Sequence, residues 1–190
     1  MRMLVLGASG GCGQHLVQLA TAAGHSVTAV VRPSTPYTAP DGVRVEQGDV
    51  LDPASLDRVL PGHEVVISGL GMKRVNPKNP WSRLASAGDF SERYTRLLVE
   101  AMKRHGIRRL LVISAAGVGE SAARMNLLMK FFVATSNVGA GYRDLERMDA
   151  GVFVEQSAAG ALVEGNRLEG NLYGIYLHGA VGRGKTMLMD

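Results

Sequence analysis

The apolar positions of this chain come in short runs cut by glycine and polar turns. Met3–Leu6 ends at Gly7, Ser26–Val31 ends at Arg32, and Leu110–Ser114 ends at Ala115. Runs this short and continuous read as parallel strands buried on both faces. Val43–Val45 and Glu64–Ser68 read as two more. Between them the period becomes that of a helix. Leu16, Leu19, Ala20 and Ala23 share one stripe, which Gly24 closes; Phe90, Tyr94, Leu97, Leu98, Ala101 and Met102 share another. Asp52-Pro53 opens a short helix, with Asp in the capping position and Pro at the first helical one. Residues 121–133 and 142–149 read as helices on either side of a Gly-containing turn. Strand and helix therefore alternate through residue 149. That predicts an α/β fold, a doubly wound parallel sheet with helices on both faces.

The pattern breaks twice. Residues 71–89 carry Pro77 and Pro80 among asparagines and form a long polar loop, a length often tied to function. Trp81 within it is placed either to cover a flat ligand or simply to pack. Beyond residue 150 glycines recur and helical periodicity fades. Val152–Val154 and Tyr173–Leu177 read there as short strands. Two parts follow: a nucleotide-binding domain over 1–150 and an atypical Gly-rich segment over 151–190.

The first glycine loop carries the chemistry. Gly7-Ala8-Ser9-Gly10-Gly11-Cys12-Gly13 joins the first strand to the first helix. Glycines at intervals of three let the chain turn sharply, let a pyrophosphate reach the backbone, and let the helix approach the sheet. The amides at the helix start then face the phosphates. This is the strand–glycine–helix context of a Rossmann-type dinucleotide site. The second strand ends at Arg32, where an NAD-preferring site would carry an acid for the ribose 2′-hydroxyl. A guanidinium suits a 2′-phosphate instead. The expected cofactor is NADP(H), with NAD(H) as the alternative.

Composition narrows the classes. In 190 residues, 46% hydrophobic and 20% charged, extended disorder is excluded and one domain is expected. A net charge of +4 without a basic tail gives no reason to invoke nucleic acid. The one cysteine, Cys12, rules out an internal disulfide or a Cys-rich metal site, and the 5 His are scattered, so no metal is expected. No run approaches the roughly 20 apolar residues of a membrane span. The few residues before Gly7 are too short for a signal peptide, so a cytoplasmic location is expected. The partner is expected to be a small-molecule acceptor, and the protein a monomer or homodimer. The apolar stretch Met125–Phe132 reads as core or pocket wall, with a dimer face as the alternative.

The Gly7–Gly13 loop, Val31-Arg32, Gly48-Asp49-Val50, the run Val65–Gly71, the run Ala101–Gly106 and Leu111–Ala115 occur in an order that resembles one family. Residues 1–149 resemble the atypical short-chain dehydrogenase/reductases, NAD(P)H-binding proteins of the flavin reductase/biliverdin-IXβ reductase and NmrA-like groups. The resemblance implies that the loop residues Gly7, Ala8, Ser9, Gly10, Gly11, Cys12 and Gly13 hold the cofactor with Arg32. It implies that Asp49 and Val50 flank the adenine, and that Ser68, Gly69, Leu70 and Gly71 pass under the ribose and phosphates. Ser114 would sit near the nicotinamide and could hydrogen-bond a substrate carbonyl. The wider superfamily uses Tyr-x-x-x-Lys, but here Tyr142 is followed at the fourth position by Glu146. Tyr142 remains a candidate proton donor, with a plain helix-face aromatic as the competing reading. The implied function is an NAD(P)H-dependent reductase of a flavin-like, quinone or carbonyl molecule; the alternative is a non-catalytic NADP(H)-sensing protein.

A second loop, Gly179-Ala180-Val181-Gly182-Arg183-Gly184-Lys185-Thr186, fits the P-loop pattern. Residues 172–190 resemble the Walker A segment of AFG/ZapE-type ATPases. The expected metal-binding acid and most of the following helix are missing, so a P-loop ATPase fusion fragment is the third reading. After Met148-Asp149 the chain also departs from the reductase pattern. A truncated domain joined to a foreign C-terminal piece is expected, with a missing last strand and an open sheet edge.

Overall fold

A computed structural model describes residues 1–115, 117–118, 122–123 and 125–158, together with three short strands beyond them. Of residues 150–158 and the three late strands only the backbone course is described. The strands are β1 (Arg2–Leu6), β2 (Ser26–Val31), β3 (Arg44–Gln47), β4 (Val65–Ser68), β5 (Arg109–Ile113), β6 (Leu162–Glu164), β7 (Arg167–Glu169) and β8 (Ile175–Leu177). The helices are α1 (Gly11–Ala22), α2 (Pro53–Val59), α3 (Phe90–Arg104), α4 (Leu127–Thr135) and α5 (Val138–Ala158). Six strands form one sheet in the order β3-β2-β1-β4-β5-β8, every pairing parallel. The doubly wound, Rossmann-type fold expected from the alternation is the fold observed.

The β1 run is buried on both faces because its alternate residues enter different cores. Leu4 and Leu6 meet Leu56, Tyr94, Leu98, Met102 and Met148, from α2, α3 and α5. Met3 and Val5 meet Val17 and Ala20 of α1 on the other face. Helices thus cover both sides, and a continuous apolar run suits both. Chain order reverses at β1: β2 and β3 extend one way, β4 and β5 the other. That leaves a crevice beyond the carboxyl ends of β1 and β4.

Three expectations change. Val152–Val154 lies within α5, not in a strand. The edge of β5 is not left open, because β8 pairs with it through Leu111–Ile175, Val112–Tyr176 and Ile113–Leu177. The helix expected over 121–133 begins at Leu127, where Asn126 caps it by accepting the Met129 N–H at 2.8 Å. Gly179–Thr186 lies outside the described residues.

Candidate dinucleotide site

The Gly7–Gly13 turn is built for close approach. Gly7 has φ +76°, and a Cβ on Gly13 would lie 2.0 Å from the Gly7 carbonyl oxygen. Only glycine fits there, because α1 begins directly against the end of β1. The Gly10 N–H closes the turn on the Gly7 carbonyl at 2.9 Å. The first-turn amides of α1, those of Gly11, Cys12 and Gly13, lie beyond reach of any intrahelical carbonyl. Gly10 at the cap has no side chain to satisfy them, and no acidic residue stands in the first turn. An uncapped helix start of this kind favours a phosphate.

Around the turn lies a cleft of about 200 Å³. Of the residues expected to hold a cofactor, Gly7, Ser9, Gly10, Arg32, Asp49, Val50, Gly69, Leu70 and Gly71 line it. They arrive from the ends of β1, β2, β3 and β4. Asp49 is positioned by local turn chemistry. Its N–H donates to Ser55 Oγ at 2.9 Å, and its Oδ1 accepts the Leu51 N–H at 2.9 Å. The β4 end is pressed against the helix start, since a Cβ on Gly69 would lie 3.2 Å from the Gly13 nitrogen.

Other expected residues do not line the cleft. Ala8 and Gly13 are buried beneath the turn, while Gly11 and Cys12 are exposed at the start of α1. Ser68 is fully buried. Its hydroxyl meets Tyr94 Oη at 3.0 Å and accepts the Leu70 N–H at 3.4 Å, so it shapes the loop from below. Burial raises the Tyr94 pKa, and this phenol keeps its proton. Ser114 lies just past β5 and donates to Asp149 Oδ2 of α5 at 3.0 Å. Tyr142 is half-buried beside Gly117, and burial raises its pKa.

Lys73, Ser86 and Phe90 also line the cleft; the first two belong to the loop whose length pointed to function, though neither was singled out by residue type. The 71–89 segment is a pinned arm. The Lys73 N–H donates to Ser86 Oγ at 2.9 Å, and the Lys73 carbonyl accepts the Ala85 N–H at 2.8 Å. Its tip docks on α4: Trp81 Nε1 donates to the Thr135 carbonyl at 3.1 Å, and its ring meets Phe132 edge-on at 5.9 Å. Asn137 Nδ2 donates to the Trp81 carbonyl at 2.8 Å. Leu127, Leu128 and Phe131 of α4 are exposed, so this stretch is not core. Asp144, fully buried on α5, caps α3 across space. Its carboxylate accepts the Ser91 and Glu92 N–H groups at 2.7 and 3.2 Å. A contact spanning more than fifty residues has no local signal.

Residues 7–159 match the family model described as NAD(P)H-binding. The chain belongs to the NAD(P)H-binding family. Its atypical short-chain dehydrogenase/reductase character, expected from the ordered motifs, follows from that match together with the fold. A 3-diazoavenalumate denitrifying reductase from Streptomyces sp is 38% identical over 118 residues, 61% of this chain and 38% of that protein. The isoflavone reductase homolog IRL of Zea mays is 36% identical over 96 residues, 45% of this chain and 30% of that protein. The chain thus spans well under half the length of these relatives. Similar folds include ChuY, an anaerobilin reductase from Escherichia coli O157:H7, with TM-score 0.57 and 22% identity, covering 79% of this chain and 66% of that one. The oxidoreductase ylbE of Lactococcus lactis has TM-score 0.63 and 15% identity, covering 82% and 64%. Among the described residues, no helix is long and apolar enough to cross a membrane.

Proposed function

We propose that the protein is an NADPH-dependent reductase of a small planar or carbonyl acceptor. The observation that carries this reading is the cleft at the strand-order reversal, where the glycine turn, Arg32 and Asp49 meet. The turn and the amides of Gly11, Cys12 and Gly13 hold the pyrophosphate. Arg32 pairs with the 2′-phosphate, and Asp49 and Val50 flank the adenine. Gly69, Leu70 and Gly71 pass beneath the ribose. The nicotinamide, when bound, supplies the hydride; the chain's own task is to orient it and the acceptor. Ser114 and Tyr142 stand toward the nicotinamide end. The reductase names of the partial relatives support the reaction class. A single cysteine suits the reducing cytoplasm.

A non-catalytic NADP(H)-sensing role is the second reading. It is favoured by Tyr142, which burial biases toward its neutral form and which has Glu146 in place of the usual lysine. Incubating the protein with NADPH and a panel of flavins, quinones and aldehydes, while following cofactor oxidation, separates the two. Turnover with one acceptor class supports the reductase. Tight NADPH binding with no oxidation by any acceptor refutes it in favour of the sensor.

A further inference from the structure

The hydroxyl of Ser114 is committed in a way its position alone does not suggest. At the end of β5 a serine would be expected to donate toward a ligand carbonyl. Here its proton goes to Asp149 Oδ2 at 3.0 Å. A carboxylate accepts only, so the serine must be the donor in that bond. The hydroxyl has one proton and two lone pairs. Once the proton is directed at Asp149, what remains for a ligand is an acceptor. Ser114 is 8% exposed, which leaves little water to compete with Asp149 for that proton.

Asp149 is held in place by its helix. Tyr142, Leu145 and Asp149 fall on one stripe of α5, and the adjacent Met148 is buried in the core at 2% exposure. Asp144, one turn earlier, is locked to the start of α3. The carboxylate is therefore presented to Ser114 by a helix fixed on two sides.

Chain topology states what lies above. If the pyrophosphate rests on the Gly7–Gly13 turn and the adenosine lies over β2 and β3, the other half of the dinucleotide extends over β4 and β5. Ser114 lies just past the end of β5. Resting on the NADPH reading above, we infer that Asp149 fixes Ser114 as a hydrogen-bond acceptor for the carboxamide N–H₂ of the nicotinamide. Asp149 is then a positioning residue, and the pair reads the amide rather than a substrate carbonyl.

The test is a pair of binding titrations of the full chain, one with NADPH and one with its reduced 3-acetylpyridine analogue. The analogue replaces the amide by a methyl ketone and has no N–H. Wild type should prefer NADPH by about tenfold, the effect of one good hydrogen bond. Ser114→Ala should reduce that preference to within about twofold, with NADPH still bound through its phosphates. Asp149→Asn should do the same with little change in melting temperature, since an amide can donate to Ser114 and turn its proton toward the ligand. Asp149→Glu should restore part of the preference. Equal affinity for the two cofactors in wild type, or an unchanged preference in Ser114→Ala, overturns the inference while the NADPH reading stands. Absence of NADPH binding overturns both.

Discussion

The two sides of the cleft are held by different kinds of force. On one side, the glycine turn, Arg32 and Asp49 sit at the ends of strands whose residues fill two cores. Shape there is fixed by steric exclusion, as the 2.0 Å approach at Gly13 shows. On the arm side, residues 72–86 and α4 are held by directional contacts: Ser86 to Lys73, Trp81 to Thr135, and Asn137 to Trp81. Apolar side chains of α4 face outward. A cleft framed this way combines a rigid half with a more adjustable wall. Burial opposes opening of the first, whereas a few hydrogen bonds of about 1 kcal/mol each hold the second.

The sharpest way to break the rigid half is Gly13→Ala. Its methyl collides with backbone that cannot move without separating α1 from β1, so a loss of about 3 kcal/mol is expected with abolished NADPH binding. Thermal unfolding and titration check both. Gly11→Ala, where a Cβ meets nothing within 4 Å, is the control and should stay within about 1 kcal/mol. Asp144→Ala comes next. It strands the buried Ser91 amide and the half-buried Glu92 amide at the start of α3 and should cost about 2 kcal/mol by denaturant unfolding.

Arg32→Ala leaves the fold intact and should weaken NADPH binding by about tenfold, with NADH unaffected. Trp81→Ala loses a ring pair and one hydrogen bond at an exposed position, so about 1 kcal/mol is expected. Hydrogen exchange should then quicken in 72–86 and leave β1 unchanged. An equal change in β1 would erase the contrast between the two sides.

The smallest effect is a pH dependence. Asp57 is held below its ordinary carboxylate value by hydrogen bonds from Arg104 and then His105. A depressed carboxylate stabilises the fold above its unfolded-state pKa, and that contribution is lost as pH falls through the folded value. The pair is exposed, so the contribution is small. Melting temperatures of Asp57→Asn and wild type should differ slightly near neutrality and converge in acid.

Legibility followed the same division. Strand runs and the Gly7–Gly13 turn were readable because local sequence and burial impose them together. The capped start at Asp52-Pro53 was readable for the same reason: its carboxylate accepts the Ala54 and Ser55 N–H groups. Asp144 and the Lys73–Ser86 clamp were not, because their partners lie far along the chain. Met125–Phe132 misled because apolar content alone does not say what covers it. Val152–Val154 misled because a three-residue apolar run has no period, and the helix already running from Val138 absorbed it.

The most direct test of the central claim is the ratio of dissociation constants for NADPH and NADH, measured on the unmodified chain by calorimetric titration. A cleft in which Arg32 reads a 2′-phosphate predicts NADPH tighter by about tenfold or more, with the preference shrinking as salt rises. Equal affinities, or a preference for NADH, would contradict it.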